Sequence, residues 1–304
     1  MRKVSSNTVL SSEVAEFLKQ ELHGDDVVIY GPAFEDQVRM NSIIFTNDAE
    51  QLNREQIGSF EDVLIVTNKD MGDNSPATFI VTANPQLDFA RVVNHFFARP
   101  VDGGIDARAT IEDGAIIGEN VTIKEGAFVG SEVEIGANTV VLQNVVITGR
   151  VVVGENCVLK PNCTIGSELF DFVDMEGQWE QFPQMGEICI GKNVWVGANA
   201  TIEKGSLSPT EVREGVRIDD LVQIGSSSVV GRNAIVAAGA VICRNSVLGE
   251  RCWVAPNASI LENLKIGNNA TIGLGAVVLE DVPDDAVVAG NPAKLIRSKL
   301  QPGS

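Results

Sequence analysis

Aliphatic residues recur along this chain with a period of six. From Ile105 the beat passes through Ile111, Ile117, Ile123, Val129, Ile135, Val141, Ile147, Val153, Leu159 and Ile165. It resumes at Ile190, Val196 and Ile202, slips again, and then runs from Val212 through Ile218, Ile224, Val230, Val236, Ile242, Leu248, Val254, Ile260, Ile266 and Ile272 to Val278. The next residue is usually small or polar, as in IGEN, VGSE, IGAN and VGEN. A helix rotates such a repeat off any one face, and an ordinary strand alternates with period two. A short strand and a tight turn, repeated without change, satisfy it. Three hexads then close one triangular coil of about 18 residues, and stacked coils pair in parallel with the aliphatic residue inward, the hexapeptide β-helix. The 26 beat positions predict eight to nine coils. At ~4.8 Å between paired strands, the prism would be roughly 40 Å long.

The first hundred residues lack the beat. A helix is predicted from Ser12 to Leu22, with Val14, Phe17, Leu18 and Leu22 on one face. Strands are predicted at residues 27–30, 43–45, 63–66 and 79–81, each bounded by turn formers. Asn84-Pro85 opens a second helix reaching Phe97. The chain therefore divides into an α/β domain (1–102), the β-helix (103–283) and a C-terminal cap (284–304) in which Pro292 opens a short helix. Two breaks interrupt the prism. Residues 166–187 form a long loop carrying Phe170, Phe172, Trp179 and Phe182 in a chain where aromatics are only 5%. Such loops on a rigid scaffold are more often functional than not, the alternative being a side cap or a clamp on a neighbouring subunit. Residues 204–212 insert four residues and predict a bulge at a corner.

Composition narrows the functional classes. No apolar run approaches the ~20 residues of a membrane span, and the first residues lack the apolar segment of a signal peptide, so the cytoplasm is expected. Cys157, Cys163, Cys189, Cys243 and Cys252 show no C-x-x-C spacing and read as reduced thiols. A formal net charge of −18 disfavours nucleic acid, and also disfavours an acidic protein partner unless a basic patch receives it.

Four further segments carry a resemblance: LHG at 22–24, NPQLDFAR at 84–91, GSELFDFVDMEGQWEQFPQMG at 166–186 and IEKGSLSPTEVREGVRIDDLVQI at 202–224. The chain resembles the UDP-3-O-acylglucosamine N-acyltransferases of lipid A synthesis, with NPYLxYAR, GADGFGYxNDxGxWxKIPQxG and IDRGALDDTxIGxGVxIDNxxQI at the last three. The resemblance implies a mainly β fold, a left-handed parallel β-helix with the small α/β domain in front. It further implies a homotrimer with active sites between adjacent prisms, and acyl transfer from a thioester to a sugar amine. This chain departs from the family in three places. The family's QIAHN histidine is replaced by Ser226, its second histidine falls on Asn263, and the only histidines are His23 and His95. Of the family's nucleotide-stacking residues, Phe45 and Asn47 stand near the right places, but NPKY is Asn47-Asp48-Ala49-Glu50. The end, AVVAGNPAKLIR, is similar to acetyl-CoA-dependent sugar acetyltransferases.

Amine acylation requires a neutral nucleophile, a site for the oxyanion and aligned reactants. Ser226 is no base near neutrality, so two mechanisms stand open. Ser226, Asn263 and Gln223 hold an already neutral amine, or a carboxylate takes its proton, with Glu203, Glu262, Asp219 and Glu168 as candidates. The expected catalytic set is Ser226, Asn263 and Glu203; substrate contacts are Phe45, Asn47, Glu168, Phe170, Gln184 and Gln223. Donor contacts are Arg244, Gly239, Lys294 and Arg297, the last two being cations for the phosphates of coenzyme A. The expectation is N-acetyl transfer from acetyl-CoA, or another acyl-CoA, to a UDP- or dTDP-linked amino sugar for surface polysaccharide, with no metal and no membrane span. The rivals are a lipid A-type N-acyltransferase using acyl carrier protein and a non-catalytic trimer that binds nucleotide sugar.

Overall fold

The computed structural model describes residues 8–47, 62–72, 77–98 and 102–299, and the chain forms two compact units, Met1–Val101 and Asp102–Ser304. In the first unit, helices α1 (Ser11–Leu18) and α2 (Pro85–Val92) accompany a five-stranded sheet. Its strands run in the order Leu22–His23, Thr78–Val81, Val63–Thr67, Ser42–Thr46, Gly31–Pro32, and only the first is antiparallel to its neighbour. Val63–Thr67 is buried on both sides: Leu64 and Val66 join one cluster with Val14, Ala15 and Val92, and Val63 and Ile65 join a second with Phe79. That two-sided burial explains its unbroken apolar run.

The helices are shorter than expected. α1 stops at Leu18 because Lys19 turns left-handed (φ 56°), freeing Leu22 to pair as a strand. Asn84 caps α2 as expected, its side chain accepting the Leu87 N–H at 3.1 Å. The segment Val93–Phe97 then widens into a π turn. Residues 48–50 lie outside the described residues.

The second unit is a left-handed parallel β-helix whose three sheets hold 10, 9 and 8 strands. Strands step by 18 residues between coils, as in Thr122↔Val140 and Val140↔Val158. From Ile123 to Val278 every residue on the beat is at most 3% exposed. Ile105, by contrast, is 53% exposed, and Ile111 and Ile117 are half-buried, so burial along the beat is incomplete in the first coil.

The I-G-x-N motif follows from the corners. A Cβ on Gly154 would lie 2.6 Å from the carbonyl carbon of Gly191 in the next coil, so the position admits no side chain. Two residues after the glycine the chain turns left-handed, at Asn120, Asn138, Asn156 and Asn193 (φ 55° to 58°). Asparagine tolerates that region better than most residues, and the Asn120 amide donates to Asn138 Oδ1 at 3.4 Å.

The C-terminal segment contains no helix among its described residues, contrary to expectation. Ala286–Ala289 adds to the ten-stranded sheet in parallel, and Lys294–Ser298 returns antiparallel along it. An added strand presents a row of unpaired backbone groups. A returning strand satisfies those groups, whereas a helix would leave them open.

Candidate active site

Both breaks in the beat fall at one corner of the prism. The strand Thr164–Ser167 leads into the aromatic loop, and Thr201–Glu203 leads into the bulge. The loop folds as an antiparallel hairpin, Phe172–Met175 against Gln178–Gln181. Its turn residues Glu176 and Gly177 both have positive φ (55° and 86°), the conformation favoured in two-residue hairpins.

The loop is anchored to the prism at several points. Lys204 Nζ lies 2.8 Å from Glu168 Oε1, and Gln181 donates to Glu168 Oε2 at 2.7 Å. These two contacts hold the Glu168 carboxyl below its ordinary pKa. Met185 and Gly186 N–H groups donate to Ser206 and Gly205 carbonyls at 2.7 and 2.9 Å. The Arg244 guanidinium bridges to the hairpin, 3.1 Å from Asp171 Oδ2 and 3.0 Å from Glu262 Oε2.

Between hairpin and corner lies a cleft of about 750 Å³. The loop side is mainly apolar, with Leu169, Phe170, Phe172 and Trp179; the prism side carries Glu203, Gln223, Val241, Cys243, Arg244 and Glu262. The bulge lengthens the coil step here from 18 residues to 22, so Thr201 pairs with Gln223. Glu203 is thereby set under the next corner. Gln223 Nε2 donates to its Oε1 at 2.8 Å, and the Ser226 backbone N–H donates to its Oε2 at 3.0 Å. Glu203 is 6% exposed, and burial raises its carboxyl above the ordinary value while these two hydrogen bonds oppose the shift. Burial, with Glu262 and Glu203 nearby, also raises the Cys243 thiol.

Ser226 does not line this cleft. It is 1% exposed, and its Oγ lies 3.2 Å from Ser206 Oγ. Because Ser206 donates its own proton to Gln184 Oε1 at 3.0 Å, Ser226 is the donor to Ser206. The hydroxyl at the family's histidine position therefore ties coil, bulge and loop together.

The structure gathers Glu203, Gln223, Phe170 and Arg244 from the expected set into the cleft wall, with Glu168 and Gln184 anchoring the loop. Asn263 is an exposed corner residue accepting from Asn245 at 3.2 Å, and Gly239 lies at a different corner. Lys294 and Arg297 are exposed on the edge strand of the ten-stranded sheet, whereas Glu203, Gln223 and Val241 belong to the nine-stranded one. In the first unit, Phe45 packs against Phe89 with ring centroids 5.0 Å apart, and the Asn47 carbonyl accepts from Asn68. Asp171 and Cys243 were not singled out from sequence; Asp171 meets Arg244 across 73 residues, and no local pattern carries that pairing. Among the described residues no three His, Cys, Asp or Glu side chains converge as a metal ligand set.

Comparisons with known proteins agree with this architecture. The family model "Bacterial transferase hexapeptide (six repeats)" matches residues 132–167, 209–244 and 245–280, and "Hexapeptide repeat of succinyl-transferase" matches 108–143 and 187–219. A UDP-3-O-acylglucosamine N-acyltransferase of Colwellia psychrerythraea is 41% identical over 210 residues, covering 62% of this chain and 60% of the relative. One from Coxiella burnetii is 30% identical over 250 residues, covering 75% and 72%. Among solved structures, a UDP-N-acetylglucosamine acyltransferase from Campylobacter jejuni superposes with a TM-score of 0.59 at 24% identity, over 65% of this chain and 75% of that one, a likeness of fold.

Proposed function

The chain belongs to the family of the UDP-3-O-acylglucosamine N-acyltransferases, and from that premise we propose that it transfers an acyl group from a thioester to the amine of a UDP-linked amino sugar. It would do so as a cytoplasmic homotrimer, with Phe45 and Asn47 contacting the nucleotide. One observation carries the reading: a cleft of about 750 Å³ joins an apolar wall to a buried carboxylate. Pockets of this size, mostly apolar with a few fixed polar groups, suit small-molecule substrates. The aromatic wall also bears on the donor. An acetyl group would cover little of Leu169, Phe170, Phe172 and Trp179, whereas a longer acyl chain would cover them all. The lipid A-type reading therefore gains over acetyl transfer, whose support is the resemblance of the C-terminal segment together with a net charge of −18 that disfavours an acidic carrier protein.

The test incubates the protein with UDP-3-O-acylglucosamine and acetyl or long-chain donors, each on coenzyme A and on acyl carrier protein, with mass spectrometry of the product. Expected is one added acyl group on nitrogen, with long-chain kcat/KM at least tenfold above acetyl. Preferred acetyl transfer would restore acetyl-CoA as donor. No transfer, combined with calorimetric binding of the UDP-sugar, would make the protein a nucleotide-sugar-binding trimer.

A further inference from the structure

We infer that Glu203 is the general base of this acyl transfer, occupying the role that an imidazole fills in the relatives this chain resembles. The inference rests on the acyl-transfer reading above and adds to it the group that moves the proton. It stands on what surrounds each carboxylate of the site. Asp171 and Glu262 are both taken by Arg244, and Glu168 is taken by Lys204. Glu203 alone among these four meets only neutral donors, the Gln223 amide and the Ser226 N–H, and it shows no ion pair. A carboxylate has about four acceptor sites, so each oxygen keeps one for a substrate N–H.

A buried carboxylate without a cation is costly to keep. Glu203 stands where the following coils carry Gly225, Cys243 and Leu261, so the corner itself does not demand an acid. Burial raises the Glu203 carboxyl above its ordinary value, whereas the Lys204 contact holds Glu168 below its own. The altered histidine position fits the same picture. Ser226 turns its hydroxyl to Ser206, and its backbone N–H holds Glu203 in place.

The reaction balances with Glu203 as base. The neutral amine attacks the thioester carbonyl carbon and forms the C–N bond, leaving charge on oxygen. Glu203 accepts one proton from that nitrogen. As the C=O double bond re-forms, the C–S bond breaks, and the leaving thiolate takes the proton from Glu203. The products are an amide and a thiol, and Glu203 ends ionised.

The experiment measures kcat, KM and their pH dependence for wild type, Glu203→Gln and Glu203→Asp with the donor that wild type uses best. General-base removal typically costs about 10²- to 10⁴-fold. Expected for Glu203→Gln is a kcat at least 100-fold lower, with KM for the UDP-sugar within about threefold. The other titratable and charged groups of the cleft are Asp171, Cys243, Arg244 and Glu262. Wild-type kcat/KM should rise with pH through an acidic limb lying above the ordinary 4.5, and Glu203→Gln should lose that limb. Glu203→Asp keeps a carboxylate and should recover part of the rate together with the limb. Should Glu203→Gln fail to fold, Glu203→Asp decides through the same limb. A Glu203→Gln protein retaining more than a tenth of kcat and an unchanged limb overturns the inference. No transfer by wild type with any donor is a different failure, which removes the acyl-transfer reading and the role of Glu203 with it.

Discussion

The side chains of the site divide by what holds them, and this separates structural from chemical roles. Ser226 is held by Ser206, and Glu203 by Ser226 and Gln223. Ser226→Ala removes one buried hydrogen bond, worth about 1 kcal/mol. It should lower stability by that order in urea denaturation and reduce kcat far less than Glu203→Gln does; a loss as deep as that of Glu203→Gln would put the serine itself in the chemistry. Glu203 also leaves a signature independent of turnover. Its folded pKa lies above the unfolded value of 4.5, so between those two values the folded chain holds more protons than the unfolded one. Stability contributed by this group is therefore lost as pH rises through that window. Glu203→Gln removes the dependence. The Tm difference, variant minus wild type, should grow more positive between pH 4.5 and pH 8 by differential scanning fluorimetry, and a flat or shrinking difference would contradict the shift.

At the scale of elements, the hairpin and the bulge make the cleft, and neither works alone. The hairpin supplies Phe170, Phe172 and Trp179, while the bulge changes the coil step and so places Glu203. Trp179 is 73% exposed, so trimming it costs the fold little. Trp179→Ala should raise KM for a long-chain donor about tenfold while changing an acetyl donor less than twofold, measured by initial rates; equal effects on both would detach the hairpin from the acyl chain. The sequence showed these elements unevenly. A break in a strict period is visible wherever it falls, and aromatic residues in an aromatic-poor chain mark the loop. The Glu203–Ser226 contact is not visible, because it depends on how 22 residues are threaded around one lengthened coil. Arg244 with Asp171 is hidden for a similar reason, since a hairpin's docking point leaves no periodic trace. The C-terminal segment misled because Pro292 suits a first helical turn equally well as a hairpin bend, and only the open sheet edge beside it decides between them.

Over the whole β-helix, each coil contacts only its neighbours, so stability is close to a sum of coil and interface terms. The two ends are unequal. At the first coil Ile105 remains 53% exposed, whereas near the other end Val278 is 2% and Val288 6% exposed. The difference comes from Ala286–Ala289 and Lys294–Ser298, which cover the last full coils and pair the edge of the ten-stranded sheet. Ending the chain at Pro283 removes this pair and uncovers Ile272, a fully buried core residue whose backbone neighbour in the sheet is Val288. Fully burying such side chains is worth about 1.5–3 kcal/mol each, and an exposed parallel edge is a template for further pairing. The shortened protein should unfold at lower temperature and, above micromolar concentration, form species larger than the intact protein in light scattering. The cleft reaches this end only through Glu262, which lies in the same coil as Ile272, while Glu203, Gln223 and Cys243 lie in earlier coils. Its chemistry at low temperature should therefore survive, with kcat within about threefold of the intact chain. An intact melting curve with lost activity would mean instead that the C-terminal pair acts on the donor through Lys294 and Arg297.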